Sequence, residues 1–261
     1  MTEKLLVTLN DGIKRITFNR PERRNSVDSE TIQSLLAAIK EAANDGSRVV
    51  ILSGAGESFC AGADLFSTSE RDIANYDVTK AIRENVNPTI LAMRSLQVPI
   101  IARIHGPAVG VGCNYALACD LIVASEQATF GQVFVKIGLM PDGGSTFFLP
   151  RLVGYQKAFE LMAFGDIIPA QEAKQLNLIN RVVPYAELDE TVDKLAAKLL
   201  RAPGMAIEKI KAGLNHSLQS DLAQALEFEA VNQASCFHSP DFIEGVSAFV
   251  EKRRPVFGKG A

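Results

Sequence analysis

Three short glycine-bearing segments carry the groups best suited to chemistry. The first is Ser58-Phe59-Cys60-Ala61-Gly62-Ala63-Asp64-Leu65. The second is Gly106-Pro107-Ala108-Val109-Gly110-Val111-Gly112-Cys113-Asn114. The third, Pro141-Asp142-Gly143-Gly144-Ser145-Thr146, places an acid on a tight turn. Small residues let a ligand approach the main chain, and successive N–H groups opening a helix can hold negative charge. Asp142 suits proton transfer, but an Asp-Gly pair after proline also suits a turn or a helix cap. Gly110-Val111-Gly112 is not a dinucleotide fingerprint, because the third glycine is missing and no acid follows at the expected distance.

Phe130, Phe134, Met140, Phe147 and Phe148 lie close to Asp142 in sequence. They predict apolar surroundings, which raise a carboxylate's pKa and make it a better base. Arg20, Arg23 and Arg24 form a basic cluster that reads either as a solvated loop or as an anion contact. Asp64 and Asp120 read as caps or backbone tethers, and His105, before a glycine turn, as a satisfied core or turn residue. The four cysteines (Cys60, Cys113, Cys119, Cys236) show no CxxC spacing and the three histidines are scattered. That pattern argues against a zinc site and for small buried hydrophobes.

The elements that hold these segments follow from hydrophobic period and punctuation. Leu5–Leu9 and Ile13–Asn19 predict a hairpin across Asn10-Asp11-Gly12. A helix capped by Asp28 or Ser29 carries Ile32, Leu35, Leu36, Ile39 and Ala42 at helical spacing. Val49–Leu52 is a continuous apolar run suited to a strand buried on both faces. Thr89–Leu96 and Cys113–Ala118 read as helices, Pro99–Ile104 and Leu121–Ala124 as strands, and a long helix is expected after Pro141–Gly144. Strand, helix and strand in turn imply right-handed βαβ units and a largely parallel sheet. From Glu187 the pattern is helical only, in four stretches: Leu188–Leu200, Ala206–Leu218, Leu222–Cys236 and Asp241–Arg253. The expected organisation is therefore an α/β core over residues 1–186 and a helical region over residues 187–261.

The chain of 261 residues is long enough to bury a large core without disulfide or metal staples. Lys plus Arg is 27 and Asp plus Glu is 30, a formal net charge of −3. That near balance offers no general footprint for nucleic acid or an anionic membrane. The most apolar stretch, Val98 to Ala124, is interrupted by Arg103, His105, Asn114 and Asp120 and is too punctuated for a membrane span. The N-terminal residues lack a basic n-region followed by an apolar h-region, so the expected address is cytoplasmic, or an organelle interior after removal of a transit peptide.

Taken together and in this order, the segments resemble the crotonase superfamily, the enoyl-CoA hydratase/isomerase type. The resemblance begins at Asn19-Arg20-Pro21 and Asn25-Ser26 and runs through Phe59–Leu65, His105–Gly112, Cys119–Ala124 and Gly138–Gly144. It continues through Leu178–Val183 to Glu244-Gly245-Val246 and Lys252–Phe257. It implies a spiral of βαβ turns closed by a C-terminal helical region that forms trimers, often paired into hexamers. It also implies an acyl-CoA thioester as substrate, with no separate cofactor. The thioester carbonyl would sit between the N–H groups of Ala63 and Val111, donors that favour an enolate over the ground state. Many members carry glycine where this chain has Val111. Substrate contacts carried over are Arg23, Arg24 and Lys259 toward CoA, with Ala61, Asp64, Leu65, Asn114 and Phe134 nearer the reacting groups.

The family's hydratases place and activate water with two glutamates, and the matching positions here hold Asn114 and Phe134. Neither has a proton to exchange near neutral pH. Asp142 stands where several non-hydratase members carry their working carboxylate, among them double-bond isomerases, the ring-expanding isomerase of phenylacetate breakdown and aromatic dehalogenases. The leading expectation is an enoyl-CoA isomerase with Asp142 as its single base. A hydratase using another acid, a dehalogenase, a thioesterase and a non-catalytic acyl-CoA binder remain as alternatives.

Overall fold

A computed structural model describes residues 3–65 and 75–258. Asp11 and Gly12 both take positive φ (50° and 77°), as a two-residue hairpin turn demands. They join β1 (Leu5–Asn10) antiparallel to β2 (Ile13–Phe18), with Asn10 opposite Ile13. The Asp28 carboxylate accepts from the Thr31 N–H at 2.9 Å and so caps α1 (Ser29–Glu41), which buries Ile32, Leu35, Ala38 and Ile39. β3 (Val49–Gly54) follows. A helical stretch starts at Val78–Ala81, passes a π-turn at Ile82–Val86 and becomes α2 (Asn87–Ser95).

The chain then runs through β4 (Ile100–Ile104), β5 (Pro107–Val109), α3 (Val111–Ala118), β6 (Leu121–Ser125) and β7 (Thr129–Gly131). The long helix expected after Pro141 is two helices, α4 (Ser145–Val153) and α5 (Tyr155–Phe164). Gly154 separates them with φ of 78°, a backbone angle that no α-helix continues through. After them come β8 (Ile167–Pro169), α6 (Ala170–Gln175), β9 (Arg181–Val183) and α7 (Leu188–Leu200). The chain closes with α8 (Gly204–Ser217), α9 (Leu222–Phe237) and α10 (Pro240–Val250).

Six strands form one sheet in the order β1-β2-β3-β4-β6-β9, parallel except for the first hairpin. β3 explains its own unbroken apolar run: Val50 and Leu52 enter one core cluster, while Val49 and Ile51 enter another on the opposite face. Leu188, Val192, Leu195 and Ala196 of α7 complete that second cluster, so the helical region expected from residue 187 begins as part of the core. A small second sheet, β5-β7-β8, had no counterpart in the sequence reading. Its strands have three residues each, too short for a period of two to register. No helix among the described residues is long and apolar enough to cross a membrane.

Candidate active site

The first two glycine-bearing segments lie against each other. Cys60 N–H donates to the Pro107 carbonyl at 3.1 Å, and Val109 N–H donates to the Cys60 carbonyl at 3.0 Å. Gly62 (φ 94°) and Gly110 (φ 56°) then meet back to back. A Cβ on Gly110 would stand 3.7 Å from the Gly62 Cα, and one on Gly62 would stand 3.2 Å from the Val109 carbonyl oxygen. Gly112 is tighter still, since a Cβ there would lie 2.3 Å from the Cys60 carbonyl oxygen. This contact brings together the residues that follow the two glycines, Ala63 and Val111. Neither N–H finds an acceptor among the described residues. Val111 opens α3, so its N–H also carries the positive end of the helix dipole.

The third segment is seated on the same helix. Asn114 is fully buried, and its Nδ2 donates to the Asp142 carbonyl at 2.8 Å while its Oδ1 accepts from Gln132 Nε2 at 2.8 Å. Ser145 Oγ donates to the same Asp142 carbonyl at 2.7 Å. Gly143 (φ 55°) rests over α3, where a Cβ would meet Asn114 at 3.3 Å and Val111 Cγ2 at 3.4 Å. The Val111 side chain thus packs under the Asp142 turn. Asn114 was expected to meet substrate; the structure instead spends its amide on holding that turn.

Asp142 itself is half-buried, and its Oδ1 is buried without a hydrogen-bond partner among the described residues. Burial pushes its carboxyl above the ordinary carboxylate range. The sequence reading missed Tyr115, whose ring is fully buried and whose hydroxyl also lacks a partner among the described residues. Tyr115 stands four residues after Val111, on the same face of α3, and that spacing was its only signal. Burial, with the neighbouring Cys60 and Asp142, keeps its phenol protonated well above the ordinary range. Phe134 points its ring tip to within 3.9 Å of where a Gly110 Cβ would be, which walls the N-terminus of α3 with hydrocarbon.

The basic cluster and the remaining expected substrate contacts divide into two groups. Arg20 and Asp64 are structural partners: Nη2 lies 2.6 Å from the carboxylate, and Arg20 Nη1 also donates to the Ser26 carbonyl at 2.7 Å. With only 3% of its side chain exposed, Asp64 is turned to Arg20 and so ties the 20–26 loop to the Ala61–Leu65 segment. Main-chain bonds from Ala61 N–H to Arg24 O and from Val27 N–H to Gly62 O strengthen that tie. Arg23 and Arg24, in contrast, are exposed and have no carboxylate partner among the described residues. Arg24 and Asn25 adopt left-handed backbone, held by Asn25 Nδ2 donating to Ala55 O at 2.8 Å and Ser58 O at 2.6 Å. Ala61 is half-buried and Leu65 exposed at the site's rim, while Lys259 lies outside the described residues.

The remaining residues singled out are elsewhere. His105 binds the Gly56 carbonyl through Nε2 at 2.8 Å, and burial holds its pKa below the usual histidine value. Asp120 accepts from Ile100 N–H and Lys211 Nζ, each at 2.7 Å, as a backbone tether and ion-pair partner. Cys60, Cys113 and Cys119 are buried thiols, the first two pushed up to about 12 by desolvation. Among the described residues, no three His, Cys, Asp or Glu side chains cluster closely enough to hold a metal ion.

Two backbone N–H groups and an unpaired carboxylate gathered at one helix N-terminus, in a core of parallel βαβ turns, define a crotonase-type α/β protein. The chain belongs to the enoyl-CoA hydratase/isomerase family, whose description matches residues 8–260, and it is an enzyme of that family. It is 34% identical to the 1,2-epoxyphenylacetyl-CoA isomerase of Escherichia coli (strain K12), over 98% of this chain and 99% of that one. It is 36% identical to the short-chain-enoyl-CoA hydratase of Clostridium acetobutylicum, over 92% and 91%. Its fold superposes on the crystal structure of an enoyl-CoA hydratase from Mycobacterium smegmatis with a TM-score of 0.90, at 32% identity and covering 98% and 99%.

Proposed function

We propose that the chain stabilises a thioester enolate and moves a double bond: an enoyl-CoA isomerase with Asp142 as its one base. The observation that carries this reading is Asp142 Oδ1, buried and unpartnered on a turn seated over Val111. The thioester oxygen accepts from the Ala63 and Val111 N–H groups, which gain most as negative charge develops there. Asp142 removes a C2 proton from a 3-enoyl-CoA, electrons shift through the enolate, and the same carboxyl returns the proton to C4. The product is the 2-enoyl-CoA, and no water enters.

Two features support isomerisation over hydration. Asn114 is buried and committed to the Asp142 turn, and Phe134 is hydrocarbon, so neither supplies the second acid that water addition uses. The likeness to 1,2-epoxyphenylacetyl-CoA isomerase extends the reading to ring-derived acyl groups. Arg23 and Arg24 are free to meet CoA phosphates, with Lys259 assigned the same task. The reading includes a homotrimer or hexamer in the cytoplasm.

The test is proton exchange at C2 of a saturated or 3-enoyl-CoA in deuterated buffer, wild type against Asp142→Asn. Exchange in the wild type that falls by roughly 10²-fold or more in the variant is expected. Thioester binding without exchange in the wild type would overturn the isomerase reading in favour of nucleophilic catalysis or plain binding.

A further inference from the structure

Behind the Asp142 turn lies a cavity of about 450 Å³, to which Gly144 contributes on the catalytic side. Its walls are Ile90 and Leu91 of α2, Phe147 and Phe148 of α4, and Leu218 just after α8. Asn87, Ser95, Asn215 and Gln219 also border it, and among the described residues one cation does, Arg94. Its Nη2 donates to Asn215 Oδ1, its Nη1 is 3.5 Å from the Ala118 carbonyl, and its guanidinium lies 5.8 Å from the Phe148 ring centre. These neutral neighbours leave both charge and donors in excess, since a guanidinium offers five N–H groups.

The carboxylate that stands nearest among the described residues does not cancel that charge. Asp120 stands 3.9 Å from Arg94, beyond hydrogen-bond distance, and is already bound by Lys211 Nζ and the Ile100 N–H, each at 2.7 Å. One carboxylate thus faces two cations, Arg94 and Lys211. A largely apolar cavity bordered by a surplus positive charge complements a ligand that is mostly hydrocarbon and carries an anionic tip.

We propose that this cavity receives the acyl group and that Arg94 recognises a carboxylate at its far end, so that the enzyme favours CoA thioesters of dicarboxylic acids. The inference rests on the reading of Ala63, Val111 and Asp142 as an acyl-CoA site. It adds the substrate class.

Calorimetric binding of saturated thioesters tests it without requiring turnover: adipyl-CoA against hexanoyl-CoA, and suberyl-CoA against octanoyl-CoA. At one chain length or both, the carboxylate member is expected to bind wild type roughly tenfold or more tightly. The gap should narrow with added salt. Arg94→Gln removes the charge but keeps a donor toward Asn215, and is expected to bring the ratio close to one. A merely structural clamp between α2 and α8 would weaken both thioesters together and leave the ratio intact, which overturns the inference. Equal binding of both members by wild type at both lengths overturns it as well. Should Arg94→Gln fail to fold, Leu218→Glu in the same wall decides: a lowered ratio supports the inference and an unchanged one defeats it. If neither thioester binds, the acyl-CoA reading falls too, whereas equal binding removes only the dicarboxylate preference.

Discussion

Asp142 separates two roles that a carboxylate on a turn can have. A structural acid would be hydrogen-bonded, and its loss would cost stability; here Asn114 and Ser145 hold the turn through its carbonyl and leave the carboxylate out of that work. Its pKa is raised by burial, so the folded protein binds this proton more tightly than the unfolded chain does. The resulting penalty on folding is absent below the ordinary carboxylate range and grows as pH rises through the raised pKa. Asp142→Asn is therefore expected to melt at or above the wild-type temperature at neutral pH while losing turnover. A variant that melts well below wild type would show that the carboxylate is structural. Under the proposed mechanism catalysis runs the opposite way with pH, because the base must be ionised. The acid limb of the kcat/KM profile should fall at a pH above the ordinary Asp value of about 3.9.

At the scale of elements, the site depends on how closely α3 approaches the 58–63 segment. Gly112 decides that approach, because a methyl group there would overlap the Cys60 carbonyl and crowd its sulfur at 2.8 Å. Both obstacles are buried at the foot of α3, so the helix must shift rather than a side chain swing away. Gly112→Ala is expected to cost about 1–3 kcal/mol of stability. Under the proposed mechanism it should also lower kcat more than it raises KM, since the Val111 N–H would move from where enolate charge develops. Denaturant melts with kinetics on one preparation check both, and wild-type values for stability and kcat would contradict the packing argument.

At the scale of the whole molecule, the last three helices are incompletely covered. α9 buries no residue against the rest of the chain, and Phe249 and Val250 at the end of α10 are 85% and 73% exposed. Ile210, Leu214, Leu222, Leu226 and Ile243 on the same three helices are exposed as well, a concentration of exposed hydrophobes that suits burial against another chain. The expected mass in solution by light scattering is three or six times the 28.2 kDa of one chain. Phe249→Glu should shift it toward the single chain. A wild-type chain that runs as a monomer at micromolar concentration would remove the trimer from the proposed function.

Much of the candidate site's local geometry was legible because it is set within short segments. A positive-φ glycine, a helix-opening N–H and an acid on an Asp-Gly turn are each written within a few residues, as Gly62, Gly110 and Asp142 show. The hairpin, the capped first helix and the doubly buried β3 were legible for the same reason, since turn chemistry and hydrophobic period act over single elements. Three-residue strands and the break at Gly154 were not, because so short a segment takes its conformation from its neighbours. Only the tertiary structure decided that Arg20 spends its charge on Asp64, 44 residues away, while Arg23 and Arg24 stay exposed. It also gave Asn114 to the support of the Asp142 turn, and placed Arg94 beside Asn215, 121 residues on, in the wall of a largely apolar cavity. The type of each reactive group is a property of its residue. Which groups meet, and which are left unpaired, depends on contacts between distant segments that no local pattern encodes.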